Sequence, residues 1–278
     1  MVAYHLPVSR ACKIVGLPRS QFYYCSKKDD SEIIQALQDL AFKHVHYGFR
    51  KLFTYLRRSG KSWNHKKVYR VYKLLKLNKR RKGKRRLPVR IKQPLTQQTA
   101  INNSWSMDFM SDSMVGNRKI RTFNVMDDYS REALAIEVDT SLSSKRIIRT
   151  LERIIDRRGK PATIRTDNGP EFTSGDFVSW CGEKQITIQY IQPGKPMQNG
   201  YIERFNRLYR EAVLDAYLFF ELDQVRQLTA EWIDEYNHRR PHESLNNRTP
   251  EEWKNLLLKK KNTLILNCLR KGVLTKPS

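Results

Sequence analysis

Acidic residues are scarce at the start of this 278-residue chain. Residues 1–100 hold 4 Asp/Glu against 25 Lys/Arg, whereas residues 101–278 hold 24 against 28. So lopsided a charge is unsuited to an acid-seeking or basic partner and suits an arm that grips a polyanion, joined to a nearly neutral body; nucleic acid is the expected partner. Cysteine is also scarce. Cys12, Cys25, Cys181 and Cys268 stand far apart, with neither a CxxC pair nor a Cys/His cluster at zinc spacing, which argues against a disulfide framework and a structural zinc site. No apolar run approaches the roughly 18 residues of a spanning helix and no signal-peptide pattern opens the chain, so no membrane partner and a cytoplasmic location are expected. No Ser/His/Asp or Cys/His constellation offers a protein nucleophile.

The residues that are present fall into a helical part and a mixed part. "VSRACKIVGLPRSQFYY" (8–24) has the outline of a helix-turn-helix, with Gly16 at the turn and Pro18 opening the second helix; a plain helical hairpin fits the same pattern. Helices are predicted over 31–45, 48–59 and 64–77. On the third, Val68, Val71, Tyr72 and Leu75 form the core stripe and leave Lys66, Lys67, Arg70 and Lys73 toward solvent, as candidate DNA contacts or simply a solvated face. The run "KLNKRRKGKRRLPVRIK" (76–92) has ten Lys/Arg and no acid. Like-charge repulsion keeps such a segment extended until phosphates neutralise it, so Arg80, Arg81, Arg85 and Arg86 are further candidates.

A polar linker (93–103) precedes strands predicted over 104–114, 119–130 and 132–140. A helix over 143–158, capped by Ser143 or Ser144, follows. Then come a strand over 162–166 ending in an Asp-Asn-Gly turn, a helix over 175–184, a strand over 187–191 and a helix from about Met197. The order β-β-β-α-β-α-β-α implies a mixed five-stranded α/β sheet flanked by helices. The expected division is a basic helical region over 1–92, the linker, a core over 104–258 and a basic tail over 259–278.

Three carboxylates have plain individual explanations: Asp108 as a strand charge, Asp167 as a turn former, and Glu203 as a first-turn acid favoured by the helix dipole. Together they suggest more. An acid at the middle of the first strand, one after the fourth and one on a late helix can converge at one edge of a sheet. Such oxygen donors suit Mg²⁺ or Mn²⁺, and two ions about 3.5–4 Å apart support in-line phosphodiester displacement. On the last helix Asn199, Glu203, Asn206/Arg207 and Arg210 share a side, so Asn199, Arg207 and Arg210 are expected beside DNA, with Arg210 on a phosphate. Gly194 and Gly200 leave room for close backbone approach.

The segments "SWSMDF", "TIRTDNGPEF" and "NGYIERFNR" resemble the three parts of the D,D-35-E motif of retroviral-type integrases. "ERFNRLYREAV", "YNHRRPHESL" and "TPEEW" narrow the resemblance to the OrfB transposases of the IS-three family of bacterial insertion sequences. "HYGFRKLFTYL" and "NHKKVYRVYKLLKL" resemble the helical region that precedes the core in that family. The resemblance implies an RNase H-like fold and catalysis by Asp108, Asp167 and Glu203 with metal. It also implies strand cleavage and transfer at element ends by a copy-out, circular-intermediate route on double-stranded DNA. By the same resemblance Arg210 is the basic residue seven positions after the glutamate, and Asp127 and Asp128 lie outside the triad as turn or supporting groups. Oligomerisation on DNA is expected, as is an upstream-frame OrfA protein, separate or fused, that supplies a zipper for which this chain has no heptad run. A nuclease of the same fold that does not join strands, and an inactive DNA-binding regulator, are the alternatives.

Overall fold

The computed structural model describes residues 6–25, 29–78, 98–192 and 199–259. Most of the basic run, with Arg80, Arg81, Arg85 and Arg86, lies outside the described residues, as do Gly194, the expected helix start at Met197, and the tail beyond residue 259. The chain divides into two compact units, Met1–Arg81 and Lys82–Ser278.

In the first unit, α1 (Val8–Val15) ends where Gly16 takes a left-handed conformation (φ 68°), which an L side chain adopts only at a cost. The second element of the expected helix-turn-helix, α2 (Arg19–Phe22), is a single turn that buries nothing. A turn that short has too few apolar residues to anchor a recognition helix. Three longer helices, α3 (Ser31–Lys43), α4 (Phe49–Arg58) and α5 (His65–Leu74), build the core. Ile33, Leu37, Leu52, Leu56, Val68, Val71 and Tyr72 recur at helical spacing and are buried together. Asn64 caps α5 by accepting the Lys66 backbone N–H at 2.8 Å.

The second unit is a five-stranded sheet in the order β3-β2-β1-β4-β5. β1 (Ser104–Ser113), β2 (Lys119–Asp127) and β3 (Ala133–Asp139) form an antiparallel meander; β4 (Thr163–Thr166) and β5 (Thr187–Tyr190) add in parallel beside β1. Alternation sends Trp105, Met107, Phe123 and Val125 to one face, where α6 (Ser144–Arg158) and α8 (Gly175–Glu183) cover them. Met110, Met126, Ile136 and Val138 face the other way, onto α9 (Gly200–Tyr209) and α10 (Leu222–Asp234).

The expected order of elements is found, with local differences. Ser143 holds the N-cap position of α6, but neither it nor Ser144 makes a side-chain cap bond. After Asp167 the chain turns into a short helix, α7 (Pro170–Thr173), where only a turn is legible in sequence. Beyond α9 come π-helical turns at Arg210–Leu214 and Glu235–Arg239 and, last among the described residues, a helix α11 over residues 250–259. Asn237, within "YNHRRPHESL", accepts the Ala133 N–H and donates to its carbonyl, both at 2.9 Å, standing in for a neighbouring strand beside β3. No described helix is long and apolar enough to cross a membrane.

Candidate active site

Strand register brings the first two carboxylates together. β1 and β4 run parallel with Ser106 opposite Arg165, and the same register carried on by two residues sets Asp108 beside Asp167, one strand spacing away. β4 stops at Thr166 while β1 runs on to Ser113, so Asp167 leaves the sheet edge exposed and Asp108 stays half-buried. α9 packs on the Asp108 face of β1 through Ile202, Phe205 and Tyr209 and presents Glu203, exposed, in its first turn.

Asp108 feels both of the other acids. The Asp108 carboxyl is pushed up to about 6, chiefly by burial and further by the charges of Asp167 and Glu203, against the pull of the Phe109 N–H and the Asn206 amide. Among the described residues no three His, Cys, Asp or Glu side chains are gathered closely enough to enclose an ion. The donor chemistry nevertheless fits a hard divalent cation, since every candidate ligand is a carboxylate oxygen.

Supporting residues whose role the sequence does not reveal hold this arrangement. Asn206 donates to Asp108 Oδ2 at 2.8 Å and accepts from Asn124 Nδ2 at 2.7 Å, while Asn124 sits directly across the ladder from Asp108. Asn206 therefore faces inward, three residues after Glu203 on the same helix, and links two of the three acids through one turn of α9. Its spacing from Glu203 is a signal the sequence offers; its partner 98 residues away is not. Asn206→Leu is expected to lower strand cleavage about 10–100-fold, as loss of a ligand-orienting partner does elsewhere. Asn206→Asp restoring activity would show that Asp108 is not positioned by the amide.

The loop after β4 is held equally closely. Asp167 Oδ1 accepts the Gly169 N–H at 3.1 Å, and a Cβ on Gly169 would meet that same oxygen at 3.1 Å, so any side chain there would crowd the carboxylate by a few tenths of an ångström. Glu171 pairs with Arg121 of β2 at 2.5 Å, and the Arg121 guanidinium also lies 4.4 Å from the Phe109 ring centre. Phe109 in turn stacks on Phe172, at 5.0 Å. Residues flanking Asp108 and Asp167 are thus clamped to each other from both sides.

The expected DNA contacts are placed unevenly. Arg207 is exposed. Asn199 is not: it is buried, makes no cap bond at the start of α9, and its Oδ1 has no hydrogen-bond partner among the described residues. The Arg210 guanidinium, expected on a phosphate, folds back onto β1, donating to the Ser111 carbonyl at 2.9 Å and lying 3.2 Å from Asp112, because the strand end offers nearby acceptors. Lys66, Lys67, Arg70 and Lys73 are exposed as expected, but Arg70 is bound by Asp30 at 2.7 Å and Lys67 lies 3.6 Å from the same carboxylate. Of the supporting acids, Asp127 organises its turn by accepting from Ser130 and Tyr129. Asp128 is buried against Arg165, Ser104 and Ser106.

A central sheet of this strand order, with carboxylates on the first strand, after the fourth and on a following helix, defines the RNase H-like catalytic core of polynucleotidyl transferases. Residues 98–196 and 184–250 each match a family described as integrase core domain, and residues 27–85 match an HTH-like domain. The HTH-like match falls on α3–α5 and not on the 8–24 segment where the sequence outlines the motif. The chain is 39% identical over 88% of its length to a 31.7 kDa protein of insertion element IS407 from Burkholderia multivorans, covering 89% of that protein. It is 24% identical over 90% of its length to the putative transposase InsK of insertion sequence IS150 from Escherichia coli, covering 94% of it. A chain in the cryo-EM structure of the simian T-cell lymphotropic virus intasome with a PP2A regulatory subunit shares the fold, with a TM-score of 0.51 at 17% identity, covering 78% of this chain and 73% of that one. The chain belongs to the OrfB transposases of the IS-three insertion-sequence family, DDE-type enzymes of DNA transposition.

Proposed function

We propose that this transposase cuts and joins DNA at the ends of its insertion sequence with Asp108, Asp167 and Glu203 as the metal-holding catalytic triad, by a copy-out route through a circular intermediate. The observation that supports the reading is that Asp167 and Glu203, from distant parts of the chain, both lie near enough to Asp108 for their charges to raise its carboxyl. Bound there, Mg²⁺ or Mn²⁺, as two ions, would activate the attacking water or 3′-hydroxyl and stabilise the leaving oxygen. The protein's own part is positional. Asn206 and the Phe109 N–H hold the two oxygens of Asp108, the Gly169 N–H holds one oxygen of Asp167, and helix packing holds Glu203.

In this reading residues 1–92 form the basic DNA-gripping region, 93–103 the linker, 104–258 the core and 259–278 a basic tail. Lys66, Lys73, Arg80, Arg81, Arg85, Arg86 and Arg207 contact phosphates of double-stranded DNA. The working assembly is a homo-oligomer on DNA with the upstream-frame OrfA protein, separate or fused, in the bacterial cytoplasm at the nucleoid. The test is circle formation in cells from a plasmid carrying the element ends, with the upstream frame supplied in fusion. Circles from wild type and none from Asp108→Asn are expected. Circles that persist in Asp108→Asn would remove Asp108 from the chemistry. No circles from either protein, despite binding of the ends, would favour a DNA-binding regulator.

A further inference from the structure

We infer that the α4–α5 face of the N-terminal unit binds single-stranded DNA by stacking unpaired bases on Tyr69 and His65. The inference is independent of the carboxylate assignment and lies wholly within the first compact unit. Residues 40–107 contain 20 Lys/Arg and no Asp or Glu, so every charged side chain on α4 and α5 attracts phosphate.

The same face is aromatic. Phe49 and Phe53 of α4 meet His65 and Tyr69 of α5, with ring centres 5.0 Å apart for Phe49–His65, 5.0 Å for Phe53–His65 and 4.7 Å for Phe49–Tyr69. The two phenylalanines are half-buried and support the outer rings. His65 is exposed, Tyr69 is 40% exposed, and their rings lie 6.4 Å apart within 19° of parallel. Val68, Val71 and Tyr72 form the core beneath, so the inner edges of the two outer rings pack on the phenylalanines while their outer surfaces stay open to solvent on one helix.

Cations border the rings. Lys73 Nζ lies 4.8 Å from the centre of Tyr69, and the Arg57 guanidinium 5.2 Å from that of Phe53. On α5, Lys66 and Lys73 flank the His65/Tyr69 stripe at helical spacing, whereas Arg70 and Lys67 are engaged by Asp30. The basic side chains beside the rings are therefore the ones left for phosphates. A lysine over an exposed ring is held more weakly than a stacked base, so an incoming base displaces Lys73 from the ring toward the strand's own phosphate. Rings interleaved with cations are how proteins hold unpaired strands without reading sequence. In a duplex the base faces are already occupied by neighbouring bases, and exposed rings would find no partner.

The test is fluorescence anisotropy with the full chain, without divalent metal, on an oligothymidine of about twenty nucleotides, a duplex of equal length and an abasic strand of equal charge. Tyr69→Ala is expected to weaken oligothymidine binding about 10-fold and duplex binding less than about 2-fold, while Tyr69→Phe, which keeps the ring, binds as wild type. The abasic strand is expected to bind wild type much more weakly than oligothymidine. Equal losses on single strand and duplex, or an abasic strand bound as well as oligothymidine, would overturn the inference in favour of plain phosphate contact. Oligothymidine binding untouched by Tyr69→Ala would also overturn it. If Tyr69→Ala does not fold by circular dichroism, His65→Ala at the exposed neighbouring ring carries the same outcomes.

Discussion

Glu203→Gln is expected to reduce strand cleavage and strand transfer by at least about a thousandfold, equivalent to about 4 kcal/mol of transition-state stabilisation, with duplex binding unchanged. An amide keeps the size of the side chain and removes the negative charge that a hard cation requires. Folding is expected to survive, because Glu203 is exposed on the first turn of α9 and its interaction with the helix dipole contributes only about 0.3–1 kcal/mol. Cleavage of a labelled end duplex in Mg²⁺, read beside a melting curve, measures both. A folded Glu203→Gln protein that still cuts would remove this residue from the site.

Asp108→Asn separates chemistry from stability in the opposite sense. The Asp108 carboxyl ordinarily titrates at 3.8 and is pushed up to about 6 in the folded chain. As pH rises through that window the unfolded chain loses its proton first, so folding stability contributed by the protonated acid falls between about pH 4 and 6 and stays lower above it. Without divalent metal, Asp108→Asn should flatten that part of the stability profile and raise stability at neutral pH by up to about 3 kcal/mol. Urea unfolding at several pH values in chelator checks it. An unchanged slope would mean that burial and the neighbouring acids are not felt at Asp108.

The second large effect is expected at Arg165. Its guanidinium lies 3.1 Å from Asp128 Oδ2, with both side chains almost completely shielded from solvent, and Asp128 also accepts from Ser106 at 2.5 Å and Ser104 at 2.8 Å. Burial still holds the Asp128 carboxyl above the ordinary aspartate range, outweighing the pull of Ser106, Arg165 and Ser104. Removing the cation alone strands that carboxylate. Arg165→Met should cost about 3–5 kcal/mol and lower the melting temperature by roughly 10 °C. Replacing both partners, Asp128→Leu with Arg165→Met, should recover much of the loss, since two apolar groups leave no charge uncompensated. A double variant as unstable as the sum of the singles would show that the two residues act separately.

Much of this architecture is legible in sequence because it rests on periodicity. The alternation of Trp105, Met107 and Phe109, and the helical spacing of Val68, Val71 and Tyr72, each follow from one local rule, and the faces that rule assigns are the faces that pack inward. The spacing of Asp167 and Glu203 within recognisable motifs pointed to one site. What periodicity cannot convey is who meets whom. Asn199, Asn206 and Arg210 share a helix side with Glu203 on paper, yet Asn199 is buried, Asn206 turns to Asp108 and Asn124, and Arg210 binds back to the end of β1. Lys67 and Arg70 are the same kind of case, since Asp30 reaches them only across the helical bundle.

The sequence by itself determined the α/β order, the uneven charge along the chain and the family, because each is written in spacing or in charge along the chain; the three acids it singles out as the catalytic set are a proposal. Only the tertiary structure decided which basic residues are already paired, that Asn206 links Asp108 to the Glu203 helix, and that the HTH-like unit presents stacked rings beside lysines not engaged by an acid among the described residues. The physical reason is that hydrogen bonds, ion pairs and ring contacts are made between elements far apart in sequence. Their partners are set by strand register and helix packing, and no local pattern records those.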